Sequence, residues 1–298
     1  MASMATTQPQ CSIVGQGAIG LLAASNLQLA GWQVSLWLRQ SVPLAIDYQA
    51  IDGALHSLRF QASRLPAQLL LVPVKAYALF SCLDELLPAL NPGTQLVISH
   101  NGMPDLAALT QLVGPKQALW FLSTSQAALR TPAGVSHTGV GSSILAPLNP
   151  EAQAYTKEVT SWLNIALGPL TLTSDIRPAL WRKLAVNAAI NPLTALLQCK
   201  NGVLADAEFQ PQLQAIVAEV CVVAAAEGIA LSLDATLALV YQVIAATAAN
   251  QSSMLQDVKA GRRTELSAIT GFIVQTAARH GLAVPANQKL WQALAATA

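Results

Sequence analysis

The chain reads as an α/β protein of two domains: a parallel-sheet domain over residues 11–172 and an all-helical domain over 173–298, behind a disordered leader at 1–10. Three observations carry that expectation. A glycine-rich turn stands between a short apolar strand and a helix near the start. Apolar runs of strand length then alternate with helical segments as far as Leu167. From about Asp175 onward the hydrophobic period lengthens to that of helices.

The bulk properties bound the function. A chain of 298 residues, 53% hydrophobic and 10% charged, has apolar material for two cores. With 16 Lys and Arg against 15 Asp and Glu, the net charge of +1 argues against a broad nucleic-acid surface. Cys11, Cys82, Cys199 and Cys221 are scattered without CxxC or paired Cys/His spacing. That indicates neither a metal site nor a disulfide scaffold, and points to a reducing, cytoplasmic setting. A mean hydropathy of +0.45 raises the question of a membrane. The apolar run 13–30 has no cation before it, the first being Arg39. The uncharged stretch 235–256 holds Asn250, Gln251, Ser252 and Ser253 together, which is costly in lipid and ordinary at a buried polar site. No membrane partner is expected.

The first domain opens with a short buried strand at 11–14. The turn Gly15-Gln16-Gly17-Ala18-Ile19-Gly20 follows at once, then a helical run to Gly31 and a second strand at 33–38. Strand, glycine turn, helix and strand in that order form the context of a Rossmann-type dinucleotide fingerprint. Gly15 allows the tight turn, Gly17 lets backbone N–H groups approach a pyrophosphate, and Gly20 allows close helix–strand packing. The helix N-terminus adds partial positive charge. The second strand ends at Arg39 rather than at the acid that bonds a ribose 2′-hydroxyl in NAD-specific folds, and Asp47 lies well past it. A guanidinium pairs with a 2′-phosphate through its fork, so NADP(H) is favoured. The competing reading is a solvated arginine at a strand end.

Further strands are expected at 68–74, 95–99, 118–125, 134–138 and 142–146, with a closing helix at 151–167. Ligands lie beyond the carboxyl ends of strands in such sheets. Lys75 and Asn101 stand at two of those ends. Lys75 reaches cofactor or substrate, or is a surface lysine; Asn101 bonds nicotinamide, ribose or substrate, or shapes the turn beside Gly102. His100 reads as structural.

The second domain reads as helices at 176–197, 211–227, 234–250 and 265–280, with a turn around 253–258. Within the first, Lys183, Asn187 and Asn191 follow at four-residue steps and share one face, while Leu184, Ala185, Ala188 and Ala189 turn toward a core. Pro192 breaks or kinks the helix just past them. One ammonium and two amides on a ridge suit an oxygen-rich small molecule. Asn250 and Ser253 offer a further amide and hydroxyl. Thr264 is placed to N-cap the helix that Glu265 opens, and Asn201-Gly202 reads as a turn.

Taken together, GQGAIG, WLR, VKAY, HNGM, LWRKLAVNAAINPLTA, the NG at Asn201, NQSSMLQDV and GRRTELSAITGF resemble, in that order, the ketopantoate reductase (2-dehydropantoate 2-reductase) family. The resemblance implies a Rossmann domain joined to a helical domain like the C-terminal one of 6-phosphogluconate dehydrogenase. It implies NADPH as hydride donor and 2-dehydropantoate as substrate, yielding (R)-pantoate on the route to pantothenate and coenzyme A. Lys183 matches the family's catalytic lysine, with Glu265 beside it as the second catalytic group. Asn101, Lys183, Asn187, Asn191, Asn201, Asn250 and Ser253 match substrate contacts. The turn from Gly15 to Gly20, with Arg39, Lys75, Asn101, Ala128 and Glu265, matches cofactor contacts. No metal is implied, and the state is monomer or homodimer. Two other readings keep the architecture: a reductase of another branched 2-oxo acid, and a non-catalytic NADP-binding sensor.

Overall fold

The computed structural model describes residues 8–64 and 67–295. Of the expected leader, residues 1–7 lie outside the described ones, and Gln10 already belongs to the first strand. The chain divides into two units: residues up to His100 together with 105–176, and residues 101–104 together with 177 onward. The second unit therefore begins at Arg177 rather than 173, and it takes in Asn101–Pro104, which the sequence assigns to the first domain. The Met103 N–H donates to the Ala268 carbonyl at 3.0 Å, and Asn101 is bonded to Glu265.

In the first unit β1 (Gln10–Val14) leads through the glycine turn into α1 (Ala18–Leu29) and β2 (Gln33–Trp37). An antiparallel pair, β3 (Leu44–Gln49) and β4 (Leu55–Ala62), comes next, then β5 (Leu69–Pro73), α2 (Leu79–Leu86) and β6 (Gln95–Ser99). After α3 (Leu106–Val113) come β7 (Leu119–Thr124), β8 (Ala127–Arg130), β9 (Gly134–Gly139) and β10 (Ser143–Pro147). The unit closes with α4 (Pro150–Gln153), α5 (Thr156–Leu167) and β11 (Leu170–Leu172).

The eleven strands among the described residues join one sheet in the order β11-β10-β7-β6-β5-β1-β2-β4-β3-β9-β8. The run from β7 to β2 is parallel, as near-continuous apolar strands covered on both faces require. The helix α1 packs against β1, β2 and β5 and also against β8, β9 and α5. Leu21, Leu22, Ala23, Ala24 and Leu27 are consequently fully enclosed.

Four strands escape the sequence reading. β3 and β4 alternate exposed and buried residues, with Asp47 and Arg59 on the outer side, so their pattern looks like a polar connection. β8 is four residues of low strand propensity, and β11 is three. The helix expected at 151–167 divides into α4 and α5. Asn149 caps the first by accepting from the Ala152 N–H at 3.0 Å; the same oxygen accepts from the Leu119 N–H at 3.2 Å.

The second unit is built around α6 (Arg177–Leu197), with α7 (Gln210–Ala226), α8 (Leu233–Ala246), α9 (Ser253–Lys259), α10 (Thr270–Arg279) and α11 (Pro285–Ala295). Pro192 does not break α6, which runs five residues further. The Ala188 carbonyl loses its usual donor there, at a typical cost of about 3 kcal/mol. Burial of α6 on nearly every face offsets that loss. The Thr194 hydroxyl also lies 2.9 Å from the Ile190 carbonyl.

Three further expectations are corrected. α8 stops before Asn250, where the Thr247 hydroxyl turns back onto Val243. The stretch 253–258 is the helix α9 rather than a turn. A 3-10 turn at Leu266–Ala268 displaces the start of α10 from Glu265 to Thr270. One helical stretch, Ala207–Ala226, is long and apolar enough to cross a membrane by length and composition. Its Leu213, Ile216, Val217, Val220, Val223 and Ala224 lie in the helical core.

A Cβ on Gly20 would sit 3.0 Å from Pro73 Cγ and 3.3 Å from Ile13 Cγ2. Gly20→Val overpacks that contact. The expected destabilisation is about 1–3 kcal/mol, read as a lower thermal midpoint.

Candidate active site

The cradle of the first unit is the turn between β1 and α1. Gly15 has φ +81°, a region that a side chain strains to reach, and its N–H donates to the Trp37 carbonyl at 2.9 Å. A Cβ on Gly17 would have only the Pro73 carbonyl, at 3.9 Å, within van der Waals range, so the backbone lies open to a ligand there. Gly17 also forms the N-cap of α1, with no side chain bonded to the free N–H groups and no acid in the first turn. Open glycine backbone and an uncapped helix start fit the pyrophosphate of a dinucleotide. Gln16, Ala18 and Ile19 complete the turn. Two residues past the end of β2, Arg39 is exposed, as a 2′-phosphate ligand must be.

Lys75 follows β5, the strand whose last residue faces Gly17, and stands partly buried at the head of a 3-10 turn. His100 is seated edge-on against Phe121, with ring centres 5.3 Å apart, which accords with a structural role. Ala128 lies within β8, opposite His137 of β9, and packs against the α1-centred core. That places it four strands along the sheet from β2.

In the second unit, Lys183, Asn187 and Asn191 all lie on α6 at helical repeat, while Leu184, Ala185, Ala188 and Ala189 enter the core. The side-chain amides of Asn187 and Asn191 make no hydrogen bond among the described residues. Lys183 is partly buried, and desolvation lowers its ammonium from the usual lysine value to about 8, against the attraction of Glu265, which raises it. Glu265 is itself 5% exposed, and its Oε2 accepts from Asn101 Nδ2 at 3.1 Å. The glycine after Asn101 is required by the same contact, since a Cβ on Gly102 would fall 2.4 Å from the Ala268 carbonyl oxygen.

Asn201 is buried, and the turn it opens is fastened to the segment after α8. Its N–H donates to the Asn250 carbonyl at 3.0 Å, and the Gly202 N–H to Ala248 at 3.1 Å. The Thr247 hydroxyl gives its single proton to Val243 and so accepts from Asn201 Nδ2 at 2.9 Å. This fixes the amide, and Asn201 Oδ1 is enclosed without a hydrogen-bond partner among the described residues. Asn250 and Ser253 carry exposed side chains, Ser253 as the first residue of α9. The sequence reading places Ser252 in the polar cluster but assigns no role to it, although it is the buried neighbour of Ser253. Its Oγ caps α9 by accepting from the Leu255 N–H at 3.1 Å and lies 2.7 Å from the Thr194 hydroxyl of α6. A serine two residues before an apolar Met-Leu pair is a readable cap signal. The Thr194 contact, 58 positions away, has no local sign.

Comparison with known proteins adds to this geometry. The model of the family described as "Ketopantoate reductase PanE/ApbA" matches residues 11–150, and its C-terminal companion matches residues 175–298. A 2-dehydropantoate 2-reductase of Vibrio cholerae is 44% identical, with 94% of this chain and 95% of that protein covered. One from Yersinia pestis is 35% identical over 94% of this chain and 92% of its own length. Among solved structures, a 2-dehydropantoate 2-reductase from Geobacter metallireducens superposes with a TM-score of 0.85 at 28% identity, over 97% of this chain and all of that one. A D-mandelate dehydrogenase with NADH and anilino(oxo)acetate reaches a TM-score of 0.87 at 22% identity, covering 97% and 98%, which is likeness of fold.

The lowered ammonium has a pH signature. Because the fold disfavours the charged form of Lys183, its contribution to stability improves as pH rises from about 8 toward the ordinary lysine value. Acylation of Lys183 by an amine reagent, followed by mass spectrometry, is expected to show a midpoint near pH 8. Glu265→Gln removes the attraction that holds the proton and moves that midpoint to lower pH; a shift upward contradicts the assignment.

Proposed function

The chain belongs to the ketopantoate reductase family, and on that premise we propose that it reduces 2-dehydropantoate to (R)-pantoate with NADPH in the cytoplasm. When bound, NADPH supplies the hydride that converts the C2 carbonyl of the substrate to an alcohol. The open glycine turn and Arg39 hold the pyrophosphate and the 2′-phosphate, and Lys75 adds a cation beyond the end of β5. Asn101, Ala128 and Glu265 are the family's remaining cofactor contacts, carried here as part of the proposal.

The observation that carries the reading is the Lys183 ammonium at about 8 with Glu265 buried beside it. Such a group releases its proton more readily than an ordinary lysine, while the neighbouring Glu265 favours its charged form. Facing the carbonyl oxygen, it stabilises the negative charge that develops there and delivers the proton that completes the alcohol. Glu265 orients the amine and favours its charged form, and Asn101 donates to the Glu265 carboxylate. Asn187 and Asn191 grip the substrate hydroxyl through unspent amides, with Asn201 next to them in role. Ser253, with Asn250, takes the carboxylate.

Loss of NADPH absorbance on adding a panel of 2-oxo acids tests the activity. 2-Oxoisovalerate lacks the hydroxyl, and its kcat/KM is expected to be on the order of 10²-fold lower or worse. Equal rates for the two acids would assign the pocket to branched 2-oxo acids in general, and no oxidation with any of them would leave a sensor. Lys183→Ala is expected to lower turnover by about 10²–10⁴ with NADPH binding kept.

A further inference from the structure

The carboxyl ends of β2 and its neighbour β4 carry a cationic arrangement that the glycine fingerprint does not explain. β2 and β4 are parallel, with Ser35 opposite Gln61 and Leu36 opposite Ala62, and the Ser63 N–H donates to the Leu36 carbonyl at 3.0 Å. The two strands thus end on the same side of the sheet, and an arginine stands two residues past the end of each: Arg39 and Arg64. Arg64 Nη2 donates to the Arg39 carbonyl at 3.2 Å, and Arg64 Nη1 pairs with Glu85 of α2 at 2.7 Å. The pair is half exposed, at 48% and 57%. The Arg39 guanidinium has no side-chain partner among the described residues.

Each part of this has a physical consequence. The bond to the Arg39 carbonyl pins the backbone from which that side chain projects, and so reduces the freedom lost on binding. The charge of Arg64 cancels that of Glu85, a carboxylate that would otherwise repel an anion at the strand ends. A guanidinium has five N–H donors, so Arg64 retains donors beyond the two it uses here. Two guanidinium groups against one carboxylate leave a local excess of positive charge that suits a phosphate.

We propose that Arg64 is a specificity-determining residue for the adenosine 2′-phosphate, acting as a positioning group for Arg39 and as the counter-charge of Glu85. The proposal rests on the NADPH reading above. It makes cofactor preference a property of two strand ends rather than of one arginine.

The test uses the full chain and two probes that differ only in the 2′-phosphate, 2′,5′-ADP and 5′-AMP, titrated calorimetrically at low ionic strength. Arg64→Gln is expected to weaken 2′,5′-ADP by about tenfold and to leave 5′-AMP unchanged. Glu85→Gln, which removes the opposing charge and keeps the guanidinium, is expected to hold or tighten 2′,5′-ADP. Arg64→Gln weakening both probes alike, or neither, overturns the proposal. So does Glu85→Gln weakening 2′,5′-ADP as Arg64→Gln does, since the pair would then be only a brace for the loop. A wild-type chain that binds the two probes equally would instead remove the NADPH reading itself. Preference in the wild type with no loss in Arg64→Gln removes Arg64 alone.

Discussion

An ammonium on α6, partly stripped of water, has to coexist with a buried carboxylate, and much of the second unit is arranged around that requirement. Burial alone would drive Lys183 toward neutrality, and Glu265 opposes it. A carboxyl group as buried as Glu265, at 5% exposure, needs hydrogen-bonding partners, and Asn101 provides one of them. Asn101 in turn is held by Gly102, at φ +82°, and by the Met103 bond to Ala268. A short stretch after a sheet strand has thus become part of the helical unit because a carboxylate there needs a donor.

Much of this was legible in the sequence, and the parts that were not share a cause. The glycine turn and the parallel core are encoded locally, by spacing and by apolar runs, and so was the ridge of α6, because a four-residue step survives any tertiary context. β3 and β4 were not legible, since a half-exposed ribbon containing Asp47 and Arg59 reads as a polar loop until its partners are known. The buried role of Ser252 was not legible either, because its second partner, Thr194, lies 58 positions away. Pro192 misled differently. Its local cost is real, but a helix buried on nearly every face tolerates it.

The first unit follows a similar economy. Gly15 is bonded to the end of β2, Gly20 is pressed against Pro73 and Ile13, and α1 is enclosed by strands from the middle and from one end of the sheet order. The turn is therefore held firmly where its backbone lies open, while Arg39, the proposed ligand of the 2′-phosphate, stands at the surface.

Ser252 gives the arrangement a property that no single side chain shows. Through one oxygen it starts α9 and touches α6, so Ser253 is set in the same frame as Lys183, Asn187 and Asn191. For the small acid proposed as substrate, the backbones that carry these groups are joined before it arrives, and only side-chain rotamers remain to be ordered on binding.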